Sequence, residues 1–251
     1  MEETGDENPG FYARKDLSME QDRKSEVIEE IIGAEWPMFH TVNGEDRADC
    51  QENPAVFRAM RGAQFRAWTE EACESYLADL RRAQAEGRNL AREKYIRMMR
   101  TTDPEGYAAF AAELPPVSEE KARLVSAVWA HMLEETEAMR EKYPAVALGG
   151  RPLRAGEEGE AGDWASIETY QTGELLTYSE ETLRALLAHI EALKKQGRSL
   201  AFEIQENSVM AMGYPSMEAA EKAIAYQVIQ ALGGGECTTC GATLDNAMSQ
   251  G

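Results

Sequence analysis

The sequence has little cysteine, little positive charge and no long apolar run, and each shortage excludes a class of protein. Four cysteines in 251 residues are too few and too scattered for a disulfide scaffold. No apolar run approaches the roughly 18 to 20 residues of a membrane span, and the acidic start Met1-Glu2-Glu3-Thr4 is not a secretory signal. We therefore expect a protein of a reducing compartment, cytoplasmic by default, with no membrane partner.

Positive charge is scarce beside negative charge. Lys and Arg number 26 against 45 Asp and Glu, which gives a net charge of -19. Such a surface repels phosphate backbones and anionic headgroups, and the densest basic runs, Arg81-Arg82 and Lys194-Lys195, lie in mixed-charge helices. We therefore expect no nucleic-acid partner, whereas a protein partner with a basic surface would fit.

What the sequence does contain is the pattern of a helical domain. Hydrophobic residues make up 43% and charged residues 28% of the chain, as in soluble globular proteins. Apolar residues recur at three- and four-residue steps, and no stretch shows the sustained two-residue alternation of a strand. A polar tail over residues 1–17 is expected before a capping box at Ser18-Met19-Glu20-Gln21. The helical domain then spans residues 18–232, and a Gly/Cys tail covers 233–251.

An internal repeat is the strongest pattern. Gly87-Arg88-Asn89-Leu90-Ala91-Arg92-Glu93 returns 110 residues later as Gly197-Arg198-Ser199-Leu200-Ala201-Phe202-Glu203, and nine of the 33 aligned positions from 68 to 100 are identical. Chance would give roughly two. The two copies cover about residues 53–100 and 163–212. We predict an all-α, pseudo-symmetric bundle of about nine to ten helices built by internal duplication, with each copy covering the apolar face of the other.

The same residues resemble a known family. Glu35-Trp36-Pro37-Met38-Phe39, Cys50-Gln51, the Gly-Arg-Asn-Leu stretch with Glu93 and Tyr95, and the run from Thr169-Tyr170 to Tyr178-Ser179 resemble the bacterial domain-of-unknown-function family numbered 4125, over about residues 25 to 225. The resemblance implies an all-helical domain and brings no activity with it. Some members look fused to a nucleotidyltransferase-like domain, which implies small-molecule or nucleotide chemistry.

Four glutamates are candidates for a pocket or a metal site. Glu35 and Glu174 lie on or beside apolar stripes, where a carboxylate must find a partner or change its pKa. Glu93 and Glu203 are equivalent in the repeat, so a pseudo-twofold axis would bring both toward one centre. These four carboxylates would suit a divalent cation such as magnesium or manganese. His131 is a further pocket candidate.

A structural interpretation stands beside each of these candidates. Buried acids are usually paired with a base, and Arg88 and Arg198 would clamp the glutamates of their own copies or cap helix ends. Glu93 also has Arg97 four residues on, the spacing of a surface ion pair.

Specific metal motifs do not support a particular site. The Glu-x-x-His of di-iron bundles and His-Glu-x-x-His are absent. Glu203-x-x-Glu206 occurs without the helical Glu-x-x-Asp that accompanies it in nucleotide pyrophosphohydrolases. Cys237 and Cys240 form half of a zinc or redox site, or belong to a tail that holds two reduced thiols.

Two functions from different classes follow, and no motif identifies a reaction. In the first, the bundle binds or transforms a small molecule or a metal in a carboxylate-bearing pocket between the two copies. In the second, the protein is a non-catalytic acidic module that recruits protein partners. Whether the chain is an enzyme stays open at this stage.

Overall fold

The computed structural model describes residues 9–42, 52–148, 150–156 and 165–231. Within these ranges the chain forms helices and no strand, so the all-α prediction is confirmed. The eleven α-helices, numbered in chain order, are α1 Pro9–His40, α2 Pro54–Ala67, α3 Glu70–Ala85, α4 Leu90–Thr102, α5 Pro104–Phe110, α6 Glu119–Lys142, α7 Pro144–Ala147, α8 Ile167–Leu175, α9 Glu180–Lys195, α10 Leu200–Ala211 and α11 Met217–Ala231; a 3-10 turn covers Ala111–Glu113.

Short polar side chains and glycines set the helix ends. Asn89 and Ser199 occupy the N-cap positions of α4 and α10, and their side chains accept hydrogen bonds from Arg92 N and Phe202 N. Such caps satisfy amides that have no partner inside the helix. Gly87 and Gly197 follow α3 and α9 with φ of 68° and 69°, the left-handed conformation that ends a helix and that glycine adopts without strain.

Two boundaries differ from the sequence-based expectation, because the composition also predicts a long linker, rich in Gly and acids, over residues 144–163. Helix α1 begins at Pro9 and contains Pro37, so Ser18 lies inside the helix and does not cap it. Proline is favoured at the first helical position, and no other proline lies between Pro9 and Pro37. The stretch expected to be a linker from 144 to 163 opens with the short helix α7, and its described part packs on the domain: Pro152 O and Leu153 O accept hydrogen bonds from Ile167 N and Glu168 N.

The helices pack as two groups that share one core. Helix α1 contacts α2, α3 and α4, whereas α6 contacts α8, α9 and α10; the groups meet where α2 packs on α10, α4 on α8 and α3 on α9. Aromatic rings fill the centre, with the Tyr76 and Tyr178 ring centroids 4.7 Å apart and those of Phe65 and Trp68 5.1 Å apart. None of the described helices is both long and apolar enough to cross a bilayer.

Candidate functional site

Two of the predicted carboxylates meet at one arginine in the core. Arg61 of α2 donates from Nε to Glu35 Oε2 at 2.7 Å and from Nη2 to Glu35 Oε1 at 2.5 Å. Its Nη1 donates to Glu174 Oε1 at 2.9 Å. Glu35 and Glu174 are 8% and 6% exposed. Two buried ion pairs that share Arg61 therefore join helices α1, α2 and α8.

Further donors complete this buried network. Tyr76 Oη donates to Glu35 Oε1 at 2.6 Å, and Tyr178 Oη donates to Glu174 Oε1 at 2.6 Å. Lys94 of α4 donates to Glu174 Oε2 at 2.6 Å. Its ammonium also lies 3.3 Å from the centroid of the Tyr170 ring, close enough for a cation–π contact. Both carboxylates therefore have strong donors, and the network links five helices, α1, α2, α3, α4 and α8.

Burial and pairing fix the charge state of the network. Burial alone would raise the pKa of Glu174, but Arg61 and Lys94 hold that pKa well below its usual value. Burial would lower the pKa of Lys94, yet Glu174 keeps it raised. Burial, together with the adjacent carboxylates, raises the pKa of Tyr76 and of Tyr178. These groups are not poised to exchange protons near neutral pH, as general acids and bases must. The network is better suited to holding helices together than to catalysis.

Glu93 is enclosed at the junction of α3 and α4. Arg88 donates from Nε to Glu93 Oε1 at 2.7 Å and from Nη2 to Oε2 at 2.9 Å, a two-pronged contact of the kind that holds a carboxylate firmly. Glu93 is 6% exposed, so it is not part of a surface pair with Arg97. Arg97 Nη2 instead donates to Pro115 O at 3.2 Å. Arg88 thus makes the clamp described by the structural interpretation of the repeat.

Glu203 lies in a different setting, on the wall of an open groove. The groove has a volume of about 710 Å³ and runs between α6, the end of α2, the end of α9 and the start of α10. Arg198 Nη2 is 2.7 Å from Glu203 Oε1. The contact is an ion pair, and Oε1 itself is buried.

The groove wall carries both signs of charge together with apolar atoms. Its charged side chains are Arg66, Glu134, Glu135, Lys142, Lys194, Arg198, Glu203 and Glu206; the others include Ala138, Met139, Phe202 and Asn207. Four cations here balance four carboxylates, whereas the whole chain has a net charge of -19. The groove is therefore a locally neutral site on an acidic protein.

The predicted site residues do not converge on one centre. Glu35 and Glu174 share Arg61, whereas Glu93 and Glu203 lie beside different arginines. His131 is half-buried on α6 and is not among the residues lining the groove. In the part of the chain that the structure describes, no group of three His, Cys, Asp or Glu side chains is placed to hold a metal ion. Cys237 and Cys240 lie outside the described residues.

Sequence reasoning missed Arg61 and Lys94, the cations that pair these acids. A signal for Arg61 is present, because it stands midway between Phe57 and Phe65 on the face of α2 that is buried. A charge at four-residue spacing inside an apolar stripe requires a buried partner. Lys94 gives a weaker signal, since it directly follows two other charged residues, Arg92 and Glu93.

Comparison with known proteins gives one match. The family model described as "Protein of unknown function (DUF4125)" matches residues 25–222, close to the range expected from the resemblance. No curated protein and no solved structure matched the chain.

Proposed function

Because the chain belongs to the family of proteins of unknown function DUF4125, which carries no activity to transfer, we propose a function from its own geometry: it binds a small polar molecule. The binding site in this proposal is the groove between α6 and the pair formed by α2 and α10. The observation that carries the proposal is a groove of about 710 Å³ in which opposite charges surround an aromatic ring.

The dimensions and lining of the groove support this proposal. Small-molecule sites usually measure about 300 to 1,000 Å³ and combine apolar surface with a few placed polar groups. Here Phe202 and Met139 supply apolar surface, and charged side chains surround them.

We also infer that the domain arose by internal duplication, which helps to locate the site. Helices α3 and α9 start and end 110 residues apart, as do the starts of α4 and α10. Lys24 Nζ donates to Arg66 O at 2.8 Å, and Lys121 Nζ donates to Leu176 O at 3.3 Å. The carbonyls of Arg66 and Leu176 are also 110 positions apart. In the proposed duplication, α1 therefore packs on the first copy as α6 packs on the second.

Differences between the proposed copies favour the second copy as the site. Glu93 is held by two hydrogen bonds from Arg88, and its side chain is only 8% exposed. Glu203 has a side chain 19% exposed and an arginine partner that is 56% exposed. A carboxylate whose partner is exposed can exchange that partner for a ligand at little cost, because surface ion pairs are weak.

A substitution that fills the groove tests the proposal. Ala138→Trp places a large side chain on the groove wall while every charge is kept; Ala122→Trp, on the exposed face of the first turns of the same helix, is the matched control. Ligand-observed NMR with a library of polar fragments should find fragments that bind the wild type and Ala122→Trp but not Ala138→Trp. If no fragment loses binding in Ala138→Trp alone, the groove is not a ligand site.

The alternative function is a non-catalytic module whose acidic surface recruits basic partners. Its support is the net charge of -19, and binding of this kind would be weakened strongly by salt. Titration with polylysine separates the two functions, because recruitment by the general surface charge would be the same in the wild type and in Ala138→Trp.

A further inference from the structure

We propose that Arg97 and Lys121 bind the phosphate group of a small molecule at a second site, separate from the groove. Arg97 belongs to α4 and Lys121 to the first turn of α6, and neither residue lines the groove. The inference goes beyond the binding function proposed above. It rests on two half-buried cations whose protein contacts are neutral.

Both cations contact main-chain oxygens. Arg97 Nη2 donates to Pro115 O at 3.2 Å, and Lys121 Nζ donates to Leu176 O at 3.3 Å. Both residues are half-buried. A carbonyl oxygen accepts a hydrogen bond but does not neutralise a charge, and an ammonium or a guanidinium has several N–H donors. Each cation can therefore still bind an anionic acceptor.

The two cations also lie among other positive charges. Burial lowers the pKa of Lys121, and the charges of Arg97 and Arg88 lower it further. Burial lowers the pKa of Arg97 as well, with Glu93 acting against it and Arg88 adding to it. Lys121 also stands in the first turn of α6, where the helix dipole disfavours a cation. Like charges held together in a partly buried place disfavour one another, and a bound anion would remove that cost.

The carboxylates close to Lys121 already accept hydrogen bonds from other groups. Asp79 and Glu93 act on the pKa of Lys121, and Lys121 acts on that of Glu180. Their donors are Arg82, Ser179 N and Thr182 Oγ1 for Asp79, Arg88 for Glu93, and Ser118 Oγ and Arg184 for Glu180. The positive charge of Arg97 and Lys121 is therefore left for a ligand to balance.

The two copies of the proposed duplication differ at this place. Asn207 stands 110 residues after Arg97, so the second copy has a neutral amide where the first has a cation. Lys24 corresponds to Lys121. Burial lowers the pKa of Lys24 too, but the charged groups that act on it, Glu203 among them, all raise it. A second cation beside this lysine is thus specific to the first copy, as expected of a binding site rather than of a shared helix junction.

A phosphate group matches this pair of cations better than a carboxylate does. A phosphate monoester carries a charge of about −1.5 to −2 at pH 7 and three strong acceptor oxygens, so one group can meet both cations. Arginine and lysine are the usual partners of phosphate in proteins. The net charge of -19 disfavours a polyanion or an anionic membrane, so the phosphate belongs to a small molecule.

Calorimetric titration of the wild type at pH 8 tests the charge of the ligand. Inorganic phosphate and acetate are compared at equal ionic strength, set with sodium chloride. We expect phosphate to bind about three- to fivefold more tightly, since one added ion pair that is partly exposed contributes up to about a factor of five. Phosphate that binds no more tightly than acetate would overturn the inference.

A phosphate ester identifies the source of the group. Glycerol 3-phosphate that binds more tightly than inorganic phosphate supports a site for a phosphate carried by a larger molecule. Equal or weaker binding of the ester supports a site for free phosphate.

Two variants test the residues. Arg97→Gln and Lys121→Gln should each weaken phosphate about threefold or more, whereas Lys195→Gln, an exposed position on α9, removes the same charge and should bind as the wild type does. In chloride alone, neither site variant should melt below Lys195→Gln, because removing one of two neighbouring cations relieves their repulsion. If both site variants bind phosphate as the control does, or both melt well below it, the cations serve the fold and the inference fails.

Ala138→Trp separates this site from the groove. It should leave the affinity for phosphate unchanged. Loss of phosphate binding in Ala138→Trp would mean that the groove binds the phosphate, which would overturn this inference and support the function proposed for the groove. Loss in Arg97→Gln and Lys121→Gln alone supports the second site, whether or not any fragment binds in the groove.

Discussion

Arg61 is the residue whose loss we expect to damage this protein most. In Arg61→Met the apolar volume of the side chain is largely kept, but the guanidinium that neutralises two buried carboxylates is removed. Glu35 then has only Tyr76 as a described side-chain donor, whereas Glu174 retains Lys94, Tyr178 and Gln64. The variant therefore leaves Glu35 buried, charged and without a counter-ion.

The contacts of Arg61 set the size of the effect. Three of its hydrogen bonds, at 2.5, 2.7 and 2.9 Å, go to ionised carboxylates, and such bonds contribute roughly 1.5 to 3 kcal/mol each. Their sum is an upper bound, because the donors that remain in the variant relieve part of the loss. Breaking a buried ion pair by removing one partner typically costs about 3 to 5 kcal/mol. We expect a loss of that size at pH 7.

The loss should depend on pH in a defined direction. In the wild type, the pKa of Glu174 is held below its usual value, so its contribution to stability is present above the unfolded pKa and disappears as acid protonates it. In Arg61→Met the pKa of Glu174 should lie closer to its usual value of 4.5, because the strongest of the charges that lower it has been removed. The difference in stability between wild type and variant should therefore shrink as the pH is lowered below 4.5.

Urea unfolding followed by circular dichroism at pH 7 and at about pH 3 measures both effects. Gln171 stands 110 residues after Arg61, the equivalent position in the proposed duplication, and Gln171→Met is the matched control with an expected change below about 1 kcal/mol. A loss for Arg61→Met no larger than that of the control would show that the network does not hold the helices together. A loss of the same size at both pH values would refute the electrostatic reasoning.

Two further predictions concern the helix junctions and the core. Arg88→Ala should lower the free energy of unfolding by about 2 to 3 kcal/mol, because it leaves the enclosed carboxylate of Glu93 unpaired. Arg198→Ala should lower it by less than about 1 kcal/mol, because it removes a largely exposed partner of Glu203. Urea unfolding of both variants checks the difference, and equal losses would contradict it. Burial raises the pKa of the Cys73 thiol to about 12. Iodoacetamide at pH 8 should therefore not alkylate Cys73 in the folded protein but should alkylate it in urea. Peptide mass spectrometry measures this, and alkylation at equal rates in both states would refute the burial of Cys73.

The sequence was sufficient to predict an all-helical fold. Period, caps and glycines are local signals, and Gly87 and Gly197 follow α3 and α9 in the left-handed conformation that ends a helix. The start of α1 was predicted later in the chain because a capping-box pattern at Ser18 looks the same inside a helix as at its end. Local patterns do not decide between these two positions.

The candidate site was less predictable because pairing is a tertiary property. The sequence placed Glu35 on an apolar stripe, and the structure buries it as that pattern requires. Which cation neutralises it depends on how α1 packs on α2, and Arg61 is 26 positions away in the chain. Equivalence in a repeat likewise says nothing about neighbours from other helices. The spacing of Glu93 and Arg97 predicted a surface ion pair, whereas the structure buries Glu93 against Arg88.

In the proposed duplication, the length of α6 accounts for part of the groove wall. If Lys24 and Lys121 are equivalent, the offset between the two long helices is 97 positions, and His40 at the end of α1 corresponds to Glu137. Helix α6 continues past that residue to Lys142, and this extra stretch supplies Ala138, Met139 and Lys142 to the groove wall. Lengthening of one helix beside an inherited junction would therefore be the step that built this side of the groove.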